Sequence, residues 1–102
     1  MASNFTISVH RNSDQLDLRL MGDFDGTSAC ELLNALEKNG DSVGKVFIHT
    51  SGLKRIFPFG RDTFQNNLYV LKNRPMRLIF TGKNSAEIAP EPGKLRRILR
   101  MP

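Results

Sequence analysis

Two stretches near the N-terminus alternate apolar and polar positions. Phe5, Ile7 and Val9 lie on one side of residues 5–10, against Thr6, Ser8 and His10. Leu16, Leu18 and Leu20 lie on one side of 15–20, against Gln15, Asp17 and Arg19. A period of two marks half-buried strands. The polar run Arg11-Asn12-Ser13-Asp14 between them has hairpin length. An antiparallel hairpin is therefore expected, its second strand ending at Gly22.

Beyond Gly22 the period changes. Ala29, Leu32, Leu33 and Leu36 follow i, i+3, i+4, i+7 spacing and share one face of a helix expected over 29–39. Ser28 and Glu31 have capping-box spacing, and Gly40 is placed to close the helix as a left-handed residue. Residues 45–49 (KVFIH) form an apolar run without alternation, the pattern of a strand buried on both faces. Phe64, Leu68 and Leu71, with Tyr69 beside them, mark a second helix. It is expected to start near 60–62 and to stop before Pro75, because a residue preceding proline avoids helical angles. Residues 76–81 read as another apolar strand and 85–89 as a short helical turn.

The expected fold class is α/β: a mixed sheet covered by helices, in the order β-β-α-β-α-β, followed by a short helical C-terminus. Residues 1–92 form one domain. Residues 93–102 are a basic segment that reads either as a packed last helix, with Leu95, Ile98 and Leu99 on one side, or as a tail.

Composition narrows the function classes. At 102 residues, 39% hydrophobic and 25% charged, the chain suits one folded domain with a continuous core. No run of about 18 apolar residues is present to span a membrane, and the first residues lack the pattern of a signal peptide. The expected location is the cytoplasm. Cys30 is the single cysteine, so no intramolecular disulfide can form; a small buried side chain is expected there. The net charge of +5 raises nucleic acid and anionic membrane surfaces as partner classes. Lys94, Arg96, Arg97 and Arg100 carry most of that excess, and the body of the domain is close to neutral.

Candidate chemistry is sparse. Asp23 and Asp25 are close carboxylates ahead of a helix, where negative charge assists the N-terminus. His10 and His49, each read at a strand end, have no second ligand at metal spacing. No nucleophile–base pair, glycine-rich phosphate loop or metal motif stands out. The expectation is a non-catalytic protein with no metal and no cofactor.

Two segments read together resemble a known family. The first is Gly22-Asp23-Phe24-Asp25-Gly26-Thr27-Ser28-Ala29 followed by the leucine-bearing helix. The second runs from Lys45 through Ser51-Gly52 to Ile56-Phe57-Pro58-Phe59-Gly60 and a further helix. Over roughly residues 5–81 this is similar to the STAS domain, whose simplest members are bacterial anti-sigma-factor antagonists. Gly22 and Asp25 match the family's earlier motif, and Ser51-Gly52 and Gly60 fall in register with its S-G turn and D-S-S-G box.

The resemblance implies a regulatory protein-interaction domain. Its partner would be an anti-sigma kinase or another signalling protein, bound through Asp23, Asp25, Phe57, Pro58, Phe59, Gly60 and Arg61. In the family the first serine of the box accepts phosphate. Pro58 matches that serine, Phe57 the preceding acid and Phe59 the second serine, so the phosphorylation switch is expected to be lost while the helix start is kept. Phe57 and Phe59, flanked by Lys54, Arg55 and Arg61, would then form an apolar knob ringed by positive charge. Two alternatives accompany this reading: an accessory subunit of a membrane transporter, and a nucleic-acid or membrane-surface binder acting through the basic tail.

Overall fold

The computed structural model describes residues 4–40, 43–71 and 76–90; the basic segment 93–102 lies outside them. The hairpin strands β1 (Thr6–Asn12) and β2 (Gln15–Phe24) are followed by helix α1 (Gly26–Asn39) and strand β3 (Lys45–Ile56). Helix α2 (Pro58–Asn66), a 3-10 turn (Leu68–Leu71), strand β4 (Arg77–Thr81) and the one-turn helix α3 (Ser85–Ile88) complete the order. The sheet runs β1-β2-β3-β4. β1 pairs antiparallel with β2, whereas β2–β3 and β3–β4 are parallel and are joined through α1 and α2. This is the mixed α/β architecture read from the periodicities, and among the described residues no helix is long and apolar enough to cross a membrane.

The core follows from those periodicities. Leu16, Leu18, Leu20 and Phe24 of β2 and Val46 and Ile48 of β3 are buried on one sheet face. Ala29, Leu32, Leu33 and Leu36 of α1 and Phe64 of α2 pack onto them, with Leu68 and Leu71 of the 3-10 turn. Each of the Val, Leu, Ile and Phe side chains taken out of water contributes about 1.5–3 kcal/mol. Edge-to-face ring pairs link Phe5 to Phe24 (5.8 Å), Phe24 to Phe64 (6.3 Å) and Phe64 to Phe80 (6.1 Å), crossing from hairpin to helix to last strand.

Several local expectations are corrected. The hairpin turn is only Ser13 and Asp14; Arg11 and Asn12 still pair within β1. Val9 is 47% exposed, although Phe5, on the same side of the strand, is buried. Val9 lies on an edge strand, beyond the reach of the helices that cover Leu18 opposite it.

Gly22 does not end β2. It sits inside the strand at φ +96°, where a Cβ would collide with the Asn4 carbonyl oxygen. Gly40 closes α1 in the right-handed region (φ −84°), its N–H donating to Leu36 O. Glycine is needed there because a Cβ would come within 2.5 Å of both Leu36 O and Met76 Cε.

β3 runs on to Ile56, so Ser51-Gly52 is an irregularity within a strand rather than a turn. β3 is also not buried on both faces. Val46, Ile48 and Thr50 are buried, while Phe47 and His49 are half-buried on the opposite side. Among the described residues no helix covers that second face. His49 lies inside β3, not at its end. Its Nε2 is 2.9 Å from Asp17 Oδ1 and its Nδ1 is 2.7 Å from Thr81 Oγ1. An ionised carboxylate only accepts, so Nε2 carries a proton, and in the neutral ring Nδ1 accepts from the threonine hydroxyl. This hydrogen bond from His49 is the leading cause that holds the Asp17 pKa below its usual value.

Candidate protein-docking site

β2 and β3 run parallel, so the chain leaves both at one end of the sheet, and α1 and α2 begin there side by side. The start of α1 is organised by Asp25. Its backbone is extended (φ −117°), and its Oδ1 accepts from the Ser28 N–H at 3.0 Å and the Ser28 hydroxyl at 3.1 Å. The carboxylate thus satisfies a donor that the helix itself leaves unpaired. The amide of Ser28 is the main reason the Asp25 pKa lies below the usual carboxylate value. Asp25, rather than Ser28, is therefore the N-cap. Ser28 is buried one turn inside, its hydroxyl also within 2.9 Å of the Asp23 carbonyl oxygen.

The start of α2 is built without a capping side chain. Phe57 holds the extended N-cap position (φ −81°, ψ 136°) and Pro58 takes the first helical position. Proline suits this place because its ring pre-sets φ and its missing N–H would find no helical acceptor. Phe57 N–H donates to Phe24 O at 3.0 Å, fastening this corner to the end of β2. Gly60 makes the closest approach: a Cβ there would come within 2.7 Å of Phe24 O and of the Asp25 carbonyl carbon. Glycine at position 60 is thus required by contact between the two helix starts.

The two aromatic side chains at this helix start face outward. Phe59 is 75% exposed and Phe57 40%. One edge of the Phe59 ring lies over Gly26, where a Cβ would come within 2.8 Å of Cε2. An open groove of about 550 Å³ follows between the helices, lined by Asp25, Gly26, Thr27, Cys30, Phe59 and Thr63. Lys54 and Arg55 are exposed at the end of β3, and Arg61 meets Asp62 at 3.1 Å on the surface. An apolar ridge with a basic margin is the result.

Of the residues singled out from sequence, Asp25 and Phe59 line one groove, and Phe57, Pro58, Gly60 and Arg61 form the corner beside it. Asp23 belongs to the frame: its N–H donates to Asn4 Oδ1 at 3.3 Å and its carbonyl faces the Ser28 hydroxyl. Cys30 is exposed, not buried as expected. Thr27, Cys30 and Thr63 were not anticipated as lining residues. Their spacing carries the signal: Thr27 and Cys30 are i, i+3 on α1, and Phe59 and Thr63 are i, i+4 on α2, so each pair shares a face.

The groove offers contact surface. Among its lining residues there is no histidine, and Thr63 commits its hydroxyl to Phe59 O at 2.6 Å. Among the described residues no cluster of three His, Cys, Asp or Glu side chains is arranged to hold a metal ion.

No family model matches the chain. No curated protein matches it either. Solved structures do. The STAS-domain antisigma-factor antagonist from Rhodobacter sphaeroides superposes with a TM-score of 0.64 at 13% identity, over 85% of this chain and 94% of that one. The anti-sigma factor antagonist SpoIIAA in its unphosphorylated form gives 0.57 at 13% identity, over 92% and 96%. Mglu gives 0.63 at 22% identity, over 83% of this chain. The chain spans only about a fifth of the length of Mglu (20%). At these identities the likeness is one of fold: the chain has an α/β, STAS-like fold.

Proposed function

We propose that this chain is a regulatory protein-interaction domain, resembling the anti-sigma-factor antagonists, that docks a signalling partner through the start of α2 and the neighbouring start of α1. The observation that carries the reading is the exposure of Phe59 (75%) and Phe57 (40%) on a corner whose backbone is fixed by Pro58 and Gly60. Exposed aromatics on a rigid frame lose little conformational freedom on binding, which is why they dominate interface energetics. The exposed Lys54 and Arg55 give the margin a positive charge that selects an acidic or neutral partner surface, while the charge of Arg61 is offset by Asp62. Asp25 contributes the one carboxylate in the groove. On this reading the domain is non-catalytic and binds without a phosphoserine switch, since Pro58 has no hydroxyl at the matching position.

The test is affinity capture from the source cell with wild type and a Phe57→Asp, Phe59→Asp double variant shown by circular dichroism to be folded. A signalling protein retained by wild type and lost by the variant supports the reading. Equal recovery by both would refute the corner as the interface.

A second reading is that the domain serves as an accessory unit of a larger protein. It is favoured by the match to Mglu, in which a unit of this fold makes up a small part of a longer chain. The same aromatic corner would then face another domain or subunit.

A further inference from the structure

We propose that β1 is a self-association edge, through which two copies of this chain pair antiparallel about Val9 and join their sheets into one of eight strands. The proposal is independent of the docking corner.

Edge strands are normally blunted by charged side chains (lysine above all), proline, a bulge or very short length. β1 has no lysine, proline or bulge, and Arg11 near its end is its one formally charged side chain. The strand is seven residues long (TISVHRN), and its ladder with β2 runs without a register shift from Thr6↔Met21 to Asn12↔Gln15. Among the described residues it has a strand neighbour on one side only.

The phase of the hairpin determines which backbone groups face that free side. A two-residue turn is closed by a hydrogen-bonded pair, here Asn12 and Gln15, with Ser13 at φ 58° in the first turn position. Bonded and non-bonded pairs then alternate along an antiparallel ladder. Thr6, Ser8, His10 and Asn12 therefore bond to β2, while Ile7 and Val9 aim their N–H and C=O groups outward. A two-fold axis through any residue of β1 sets outward-facing residues opposite outward-facing ones, so the phase of the hairpin allows a ladder in several registers. Val9 is the midpoint of Thr6–Asn12, so the axis at Val9 is the one that pairs the full strand, and there Val9 faces itself as a bonded pair.

The side chains agree with that register. Thr6 falls opposite Asn12, Ile7 opposite Arg11, and Ser8 opposite His10, so no cationic side chain faces its like. Val9 falls opposite Val9. At 47% exposure it is the one large apolar side chain of the strand left substantially in water, and pairing would cover it. Ile7, partly buried against the core, extends the apolar contact on the same face. A seven-residue ladder is small beside the roughly 1,000 Å² of a stable interface, so association is expected to depend on concentration.

The test has two arms on the full chain. In the first, sedimentation of wild type across concentration should rise from the 11.5 kDa chain mass toward twice that value. A Val9→Lys variant of native circular dichroism should stay at the monomer mass. In the second, cysteine is placed at 9 or at 7 in a Cys30→Ser background. A central bonded pair brings Cα atoms to about 5.5 Å, within disulfide range, whereas positions 7 lie roughly 13 Å apart along the strand. Val9→Cys should cross-link under mild oxidation at least ten times faster than Ile7→Cys. Wild type that remains monomeric at millimolar concentration would overturn the proposal. So would dimerisation unaffected by Val9→Lys, or cross-linking at 7 as fast as at 9.

Discussion

Gly60 touches Asp25 across the two helix starts: a Cβ on Gly60 would come within 2.7 Å of the Asp25 carbonyl carbon. Because the obstructing atoms are backbone, they cannot rotate away. The first prediction concerns Gly60→Ala. Inside a helix, alanine alone would add up to about 1 kcal/mol of stability over glycine. Forcing a methyl group into a closed contact typically costs about 1–3 kcal/mol. The expected net result is destabilisation, read as a lower urea midpoint, and a midpoint that rises would show that the corner can open.

Asp25 supplies the second prediction. Asp25→Ala removes the cap of α1 and should cost about 0.5–2 kcal/mol, whereas Asp25→Asn retains a capping oxygen and should cost less. Their pH dependence separates charge from hydrogen bonding. The folded-state pKa of Asp25 lies below its ordinary value of 3.8, chiefly through the Ser28 amide. The stabilisation linked to ionisation is therefore present above pH 3.8 and fades as pH falls through the lower folded value. Wild type should lead Asp25→Asn at pH 7, and the gap should narrow in acid. A gap that widens as pH falls would reverse this assignment.

Phe59 and Phe64, both on α2, should behave in opposite ways. Phe64 is fully buried between Phe24 and Phe80, and Phe64→Ala should cost about 3–5 kcal/mol. Phe59 is 75% exposed, so Phe59→Ala should change stability by no more than about 0.5 kcal/mol while weakening partner binding. Denaturant unfolding of both variants checks the contrast. A loss above 2 kcal/mol for Phe59→Ala would make that ring structural.

Cys30 offers a chemical reporter. Its thiol is exposed and lines the groove beside Phe59 and Thr63. In the native protein it should react with a thiol reagent as fast as in the urea-unfolded chain, to within about tenfold. A buried cysteine would instead wait for unfolding. Saturation with a partner bound at the corner should slow the native reaction.

The elements that periodicity revealed are those in which one face decides burial. Leu16, Leu18 and Leu20, the α1 set from Ala29 to Leu36, and Phe64, Leu68 and Leu71 all point inward as their spacing requires. Errors arose where a residue type stood for a conformation. Gly22 and Gly40 read as punctuation, yet another part of the chain, Asn4 or Met76, crowds each Cα, and Gly22 also holds a positive φ. Such crowding is tertiary and leaves no local pattern. Val9 continued the alternation of Phe5 and Ile7, but burial at an edge depends on how far the helices reach. In 45–49, Phe47 and His49 sit on the sheet face opposite the helices, where an aromatic body and a hydrogen-bonded imidazole imitate a core sequence. At the candidate site Asp25 was legible from its place before a helix, whereas Gly60, inside α2, was singled out by the resemblance alone. The groove itself was not, since it exists only once α1 and α2 lie side by side.

The length of β3 has a consequence for how that corner opens. β4 pairs with β3 over Lys45–His49, so, among the described residues, 50–56 have β2 as their single strand neighbour. On the other side the Asn84 side chain reaches over to the Thr50 and Leu53 carbonyls, at 3.0 and 3.3 Å. Gln65 of α2 holds the far end of the same turn, donating to Ile88 O at 3.0 Å. Beyond the Thr50 hydroxyl, which donates to Thr81 O at 2.7 Å, the side of this stretch away from β2 is thus latched by the Asn84 amide. Fluctuations that release Asn84 would let the corner breathe while the four-stranded body stays shut. Amide exchange over 50–56 would then be faster than over 45–49, and a partner clamped on Phe57 and Phe59 would slow it from the opposite side.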